Sequence, residues 1–188
     1  QVLKLNRIQT IMQKLNQQPD ICPYFSPEFK VIPQYIIMKE GECMELNNRT
    51  TSFFIFILSG EITISFEQYT NRSVLENEMF FLPKNNCFKW KAVTQTVLIL
   101  TGYNATIFPC TSVRARILYK IKAGVKFDCR GVVMKDEVKV VVNQMKHYLD
   151  SGINCHHMYI LKHKELYLMF KHFYTYEEII PVSYTHLT

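Results

Sequence analysis

Side chains able to do acid–base or metal chemistry crowd towards one end of this chain. No histidine precedes His147, and the sharpest cluster is Cys155-His156-His157, with His163 a little further on. Thiolate and imidazole are zinc's usual ligands, so the cluster invites a metal reading. On a helix, ligands sharing a face recur every three or four residues, yet the positions four beyond His156 and His157 are Ile160 and Leu161. His163 falls two turns past His156, about 10 Å along a helix axis, too far for one ion to take both. These histidines are therefore expected to be polar surface or cap-region residues, with no metal and no cofactor.

Cysteines offer no better centre. The six (Cys22, Cys43, Cys87, Cys110, Cys129, Cys155) are evenly scattered without a Cys-x-x-Cys, which reads as packing or free thiols in a reducing cytoplasm. None before residue 147 has a histidine nearby in sequence to act as a base. What remains is aromatic and apolar. Trp90, the only tryptophan, follows Phe88 by two residues and shares its strand face. Together with Phe53, Ile55 and Phe66 these side chains could line a ligand pocket or simply fill a barrel.

The elements that position them begin with a short amphipathic helix carrying Leu5, Ile8, Met12 and Leu15, followed by a proline-broken lead-in (Pro19, Pro23, Pro27, Pro33). Short strands follow at regular spacing: Tyr35 to Met38, Phe53 to Leu58, Ile62 to Phe66, Met79 to Leu82, Phe88 to Lys91 and Val97 to Leu100. The stretches between them, GEC, SGE, YTNRS, PKNN and GYN, read as turns. One or two further strands are expected between Ile107 and Val133. This pattern predicts a sandwich or closed barrel.

The period then changes. Asp136 is the expected cap of a helix carrying Val138, Val141, Val142, Met145 and Leu149, ending at Asp150-Ser151-Gly152. Asn154 is the expected cap of a second helix over 155–174, apolar on more than one side.

Within the strand region, the run Phe53 to Leu58 is apolar on both faces, whereas Glu61 to Phe66 alternates. A two-residue turn at Ser59-Gly60 would pair the two as a hairpin, Ile57 facing Ile62, Ile55 facing Ile64 and Phe53 facing Phe66. Those residues would be barrel lining. Phe54, Phe56 and Leu58 would need cover from the N-terminal helix, the C-terminal helices or a second subunit.

The segment ILSGEI (57–62) and the stretch LENEMFFLPKNNCFKW (75–90) resemble the two motifs of the cupin fold. The resemblance implies two histidines and a glutamate before the glycine, and a third histidine five residues after the proline, wherever a cupin holds metal. Here the glycine is Gly60 and the glutamate position falls on Phe53; the proline is Pro83 and its histidine position falls on Phe88. The two-histidine region falls near Leu46 to Arg49. A barrel that lacks these ligands is expected to bind rather than catalyse.

The tail, with YLDSGINC (148–155) followed by MYILKHKELYLMFKHFYTYEEI (158–179), resembles the N-terminal sensor and dimerisation half of AraC-type transcription regulators of Bacteroides-like bacteria. That resemblance implies a small-molecule effector in the barrel and a homodimer through the helices. It also implies DNA contact only through a separate C-terminal helix-turn-helix domain that is absent from this sequence. Met145, Leu149, Leu161 and Leu168 are the candidates for helical packing or dimer contacts. Two readings compete with a non-enzymatic regulator: a cupin isomerase or oxygenase with an atypical site, and a stand-alone helix-turn-helix. The last is disfavoured because residues 155–174 are too apolar for a recognition helix.

The expected fold is thus mostly β with α: a cupin-like β-barrel (double-stranded β-helix) followed by a C-terminal helical pair. Its divisions are an N-terminal helix and arm (1–28), barrel (29–133), helical dimerisation segment (134–180) and a disordered or foreign tail (181–188). A net charge of +6, spread along the chain, permits an anionic partner without demanding one. No apolar run approaches the ~20 residues of a membrane span, so no membrane partner and a cytoplasmic location are expected.

Overall fold

A computed structural model of the chain describes residues 33–48, 51–66, 69–82, 84, 86–103, 130–153, 155–175 and 178. The expected N-terminal helix, strands over 107–129 and tail lie outside them. The described strands are β1 (Gln34–Met38), β2 (Cys43–Asn48), β3 (Ser52–Ser59), β4 (Glu61–Phe66), β5 (Tyr69–Leu75), β6 (Glu78–Leu82), β7 (Asn86–Ala92), β8 (Thr96–Tyr103) and β9 (Val132–Val133). Two helices follow, α1 (Asp136–Asp150) and α2 (His156–Phe173).

The strands form two antiparallel sheets, ordered β1-β8-β3-β6-β9 and β2-β7-β4-β5. Consecutive strands mostly alternate between sheets, as in a double-sheet jelly roll. Strict alternation fills the space between the sheets. Met38, Ile55, Ile57, Phe80, Leu82, Leu98 and Leu100 of the first sheet meet Leu46, Ile62, Ile64, Val74, Phe88, Trp90 and Ala92 of the second in one buried cluster. Each large side chain so buried contributes roughly 1.5–3 kcal/mol.

The expected β3–β4 hairpin does not exist. β3 pairs with β6 and β8, whereas β4 pairs with β5 and β7. The two strands face each other across the core, and Gly60 carries the chain from one sheet to the other. Its φ of +86° suits glycine, and a Cβ there would lie 2.4 Å from the Gln95 carbonyl oxygen. Beside it the Glu61 N–H donates to Thr94 Oγ1 (3.1 Å), and Thr96 Oγ1 donates to the Glu61 carbonyl (3.0 Å).

Membership of different sheets explains why β3 is apolar on both faces while β4 is wet on one. The outer face of the first sheet, with Phe54, Phe56, Met79, Phe81 and Ile99, joins Val132, Met134, Val138, Val141, Val142, Met145, Leu166, Phe170 and Tyr174 in a second core. The C-terminal helices thus supply cover for Phe54 and Phe56. The outer face of the second sheet carries exposed Glu45, Lys89 and Lys91, and helical cover ends at the first sheet.

Two strands escaped the sequence reading. β2 offers only Met44 and Leu46 to the interior, and β5, whose YTNRS was read as a turn, buries only Val74 among its side chains described. The helix caps are also displaced by a residue. Lys135 caps α1, so Asp136 is its first residue, and Cys155 caps α2.

Where α2 ends, a polar bracket ties it to the start of α1. Tyr174 Oη accepts from the Lys135 N–H (2.7 Å) and donates to the Val133 carbonyl (3.0 Å). The Lys135 ammonium sits 4.7 Å from the centre of the Tyr174 ring and pairs with Glu178 at 3.4 Å. Glu178 accepts from the Thr175 N–H (2.7 Å) while its own N–H donates to Thr175 Oγ1 (3.3 Å), a capping box.

Candidate functional site

The interior between the sheets is where a jelly roll of this size places a ligand or its own side chains. Leu46 and Phe88 are cross-strand neighbours on β2 and β7. Both are buried in the inner cluster, and Phe53 on the facing sheet packs against it, half-buried. Phe53 and Phe88, at the glutamate and third-histidine positions of the cupin resemblance, and Leu46, at the start of its two-histidine region, thus all give hydrocarbon to this interior. None of these three side chains can ligate a first-row metal. Among the described residues no group of three or more His, Cys, Asp or Glu side chains is placed to hold a metal.

Of the other pocket candidates, Ile55 and Phe88 are 0% exposed and Trp90 2%, so side chains occupy the space around them. Trp90 lies between Met44 of β2 and Ile64 of β4. Its indole Nε1 is buried with no hydrogen-bond partner. Phe66 pairs through its backbone with Tyr69 beyond an irregularity in β4, and its side chain lies outside the described residues. Phe53 stands opposite Gly102 on β8, which contributes no side chain to that position. Phe53, Met44 and Ile36 pack against the interior from its margins and are only partly buried.

The helical candidates divide. Met145 is fully buried on the barrel and Leu149 half-buried, whereas Leu161 and Leu168 are 62% and 56% exposed. Leu161 and Leu168 therefore take no part in packing α2 onto the barrel. The seven-residue spacing sets them on one outward face with His157, Lys164 and Lys171, all exposed.

The expectation of surface or cap-region histidines fails at His163, while His156 directly follows the α2 cap. His157 is exposed, but His156 and His163 are each only 3% exposed. They share the inward stripe His156, Tyr159, His163, Leu166, Phe170, whose three- and four-residue spacing was visible in the sequence. His163 Nδ1 lies 2.6 Å from the Tyr159 carbonyl and Nε2 lies 2.8 Å from Thr101 Oγ1. Burial pushes its pKa below the ordinary histidine value, and burial does the same to His156, with the His157 charge adding to it.

The described cysteines are free thiols outside the core. Cys43 is exposed, and Cys87 and Cys155 are half-buried free thiols. Cys87 donates to Glu45 Oε1 at 3.1 Å, and burial followed by that carboxylate pushes the thiol's pKa up, away from nucleophilic use.

The strand order and the two-sheet core decide the fold. The barrel is cupin-like. Solved structures similar to it include the cupin domain of Schizosaccharomyces pombe Cnp3 (19% identity over 44% of this chain and 59% of that one, TM-score 0.38). Others are an RmlC-like cupin from Shewanella frigidimarina (18%, 38% and 64%, TM-score 0.35) and ectoine synthase from P. lautus (13%, 37% and 51%, TM-score 0.35). The matched region thus spans between half and two-thirds of each of those chains. Enzymes and binding domains share this fold, so it leaves the activity open. No protein-family model matches the chain, and no curated protein matches it. No helix among the described residues is long and apolar enough to cross a membrane.

Proposed function

We propose that the chain is a non-enzymatic sensor: the effector-binding and dimerisation part of an AraC-type transcription regulator. In this reading DNA is contacted only through a separate C-terminal helix-turn-helix domain. The observation that carries the reading is chemical. Phe53 and Phe88 stand at the glutamate and third-histidine positions of the cupin resemblance, and they share an inner cluster of aliphatic, thioether and aromatic side chains with Leu46 and Trp90. Such an interior can recognise an apolar or ring-bearing molecule but offers no group to move a proton or activate water.

The effector would enter at the partly buried border, beside Phe53 and the bare Gly102 position. The dimer would form through the outward face of α2, where Leu161 and Leu168 repeat at one heptad with lysines between and beyond them. Sedimentation of the whole chain tests this. A dimer is expected, and Leu161→Lys with Leu168→Lys should shift it to monomer with an unchanged circular dichroism spectrum. A strict monomer at high concentration would remove the dimerisation role, and a stoichiometric transition metal bound in the barrel would overturn the sensor reading.

A further inference from the structure

His163 joins α2 to β8 within a contact that is otherwise mostly hydrocarbon. One ring nitrogen reaches back to the Tyr159 carbonyl within α2 and the other reaches across to Thr101 on β8. A carbonyl can only accept, so Nδ1 carries the proton and Nε2 accepts from the Thr101 hydroxyl. This pattern belongs to the neutral imidazole, the form that burial favours.

We propose that the Thr101–His163–Tyr159 hydrogen-bond chain is an acid-sensitive latch, seating α2 on the barrel when His163 is neutral and loosening it when His163 is protonated. Two carbonyls favour a charge on the ring, but burial outweighs them and no carboxylate adds to them. From β8 it is faced by the Thr101 hydroxyl and the Gly102 carbonyl; from its own helix, by the Tyr159 carbonyl and the His156 imidazole. β3, adjoining β8 in the sheet, has no titratable residue from Ser52 to Ser59. On α1, Asp136 pairs with Lys139 and Asp150 with Lys146; on α2, Glu165 pairs with Lys162. None of these carboxylates is among the groups acting on His163. Protonation turns Nε2 into a donor, which ends its acceptance from the Thr101 hydroxyl, and an imidazolium must then be held in a core.

The direction follows from the depressed pKa. The latch is complete above the unfolded histidine value of about 6.5, and its contribution is lost as pH falls below that value towards the folded pKa. One such group can change an opening equilibrium by up to about tenfold per pH unit.

Two measurements on the whole chain test the latch. Nitrogen-15 spectra should show His163 as the neutral Nδ1–H tautomer, still uncharged just below the ordinary histidine value of about 6.5. Amide exchange, corrected for intrinsic rates, should show α2 losing protection relative to β4 and β7 by about five- to tenfold between roughly pH 7.5 and 5.5. In His163→Gln most of that pH dependence should vanish. An Nε2–H tautomer, a ring titrating at or above the ordinary value, or an unchanged pH slope in the variant would each overturn the proposal. The spectra of the unmodified chain decide it even if the variant does not fold.

Discussion

Gly60 and Trp90 show how differently two core positions respond to change. At Gly60 a Cβ meets backbone, the Gln95 carbonyl, which cannot move without opening the turn that follows β7. Gly60→Ala should therefore lower stability by about 2 kcal/mol or more, combining a left-handed backbone with a clash; a denaturant midpoint within error of the parent would refute this. Trp90 carries its own penalty in the buried, unpartnered indole N–H. Trp90→Phe removes that donor at the expense of a small cavity, and the two should offset to within about 1 kcal/mol. Ile64→Ala beside it should cost about 2–5 kcal/mol. Tyr159 and Tyr174 are each pushed up to about 12, chiefly by burial. Their stabilising effect should persist below pH ~10 and disappear as pH rises through ~12, visible as delayed phenolate absorbance.

At the scale of elements, the inward faces of the strands could be read from the sequence but their partners could not. Ile55, Ile57, Ile62 and Ile64 share one core as alternation required, yet alternation carries no information about whether two strands lie side by side or face to face. Gly60 looks the same in a hairpin and in a sheet crossing. β5 was missed because only Val74 is an apolar anchor on it, and the surrounding Thr, Asn, Arg and Ser mimic a turn. On α2 the eye follows leucines, so the inward stripe that includes two histidines was passed over in favour of Leu161 and Leu168, which point away from the barrel. The bracket at the end of α2 was equally hidden, since Val133, Lys135 and Tyr174 meet only in three dimensions. Tyr174→Phe should cost about 1–2 kcal/mol, because the Lys135 N–H and the Val133 carbonyl both lose a partner. A shift of less than half that in the unfolding free energy would show that solvent takes over both bonds.

Over the whole molecule, barrel and helices share a core rather than a linker. Phe54, Phe56 and Phe81 belong to the barrel sheet but are buried only with α1 and α2 in place. The chain should therefore unfold in a single transition, with helix content and Trp90 fluorescence changing at the same midpoint. Two separated midpoints would mean that the helices dock as an independent unit.

The bracket of Lys135, Tyr174 and Glu178 also has a mechanical meaning. A pull on the chain at Glu178 is not absorbed by fraying α2 alone, because the carboxylate there is tied to Lys135 and Tyr174 is tied to the β9–α1 junction. Tension would pass along two short arms into the edge of the first sheet at Val133. The exit of α2 behaves as a braced lever, so a displacement at the rim of the barrel and a displacement at Glu178 are geared to each other.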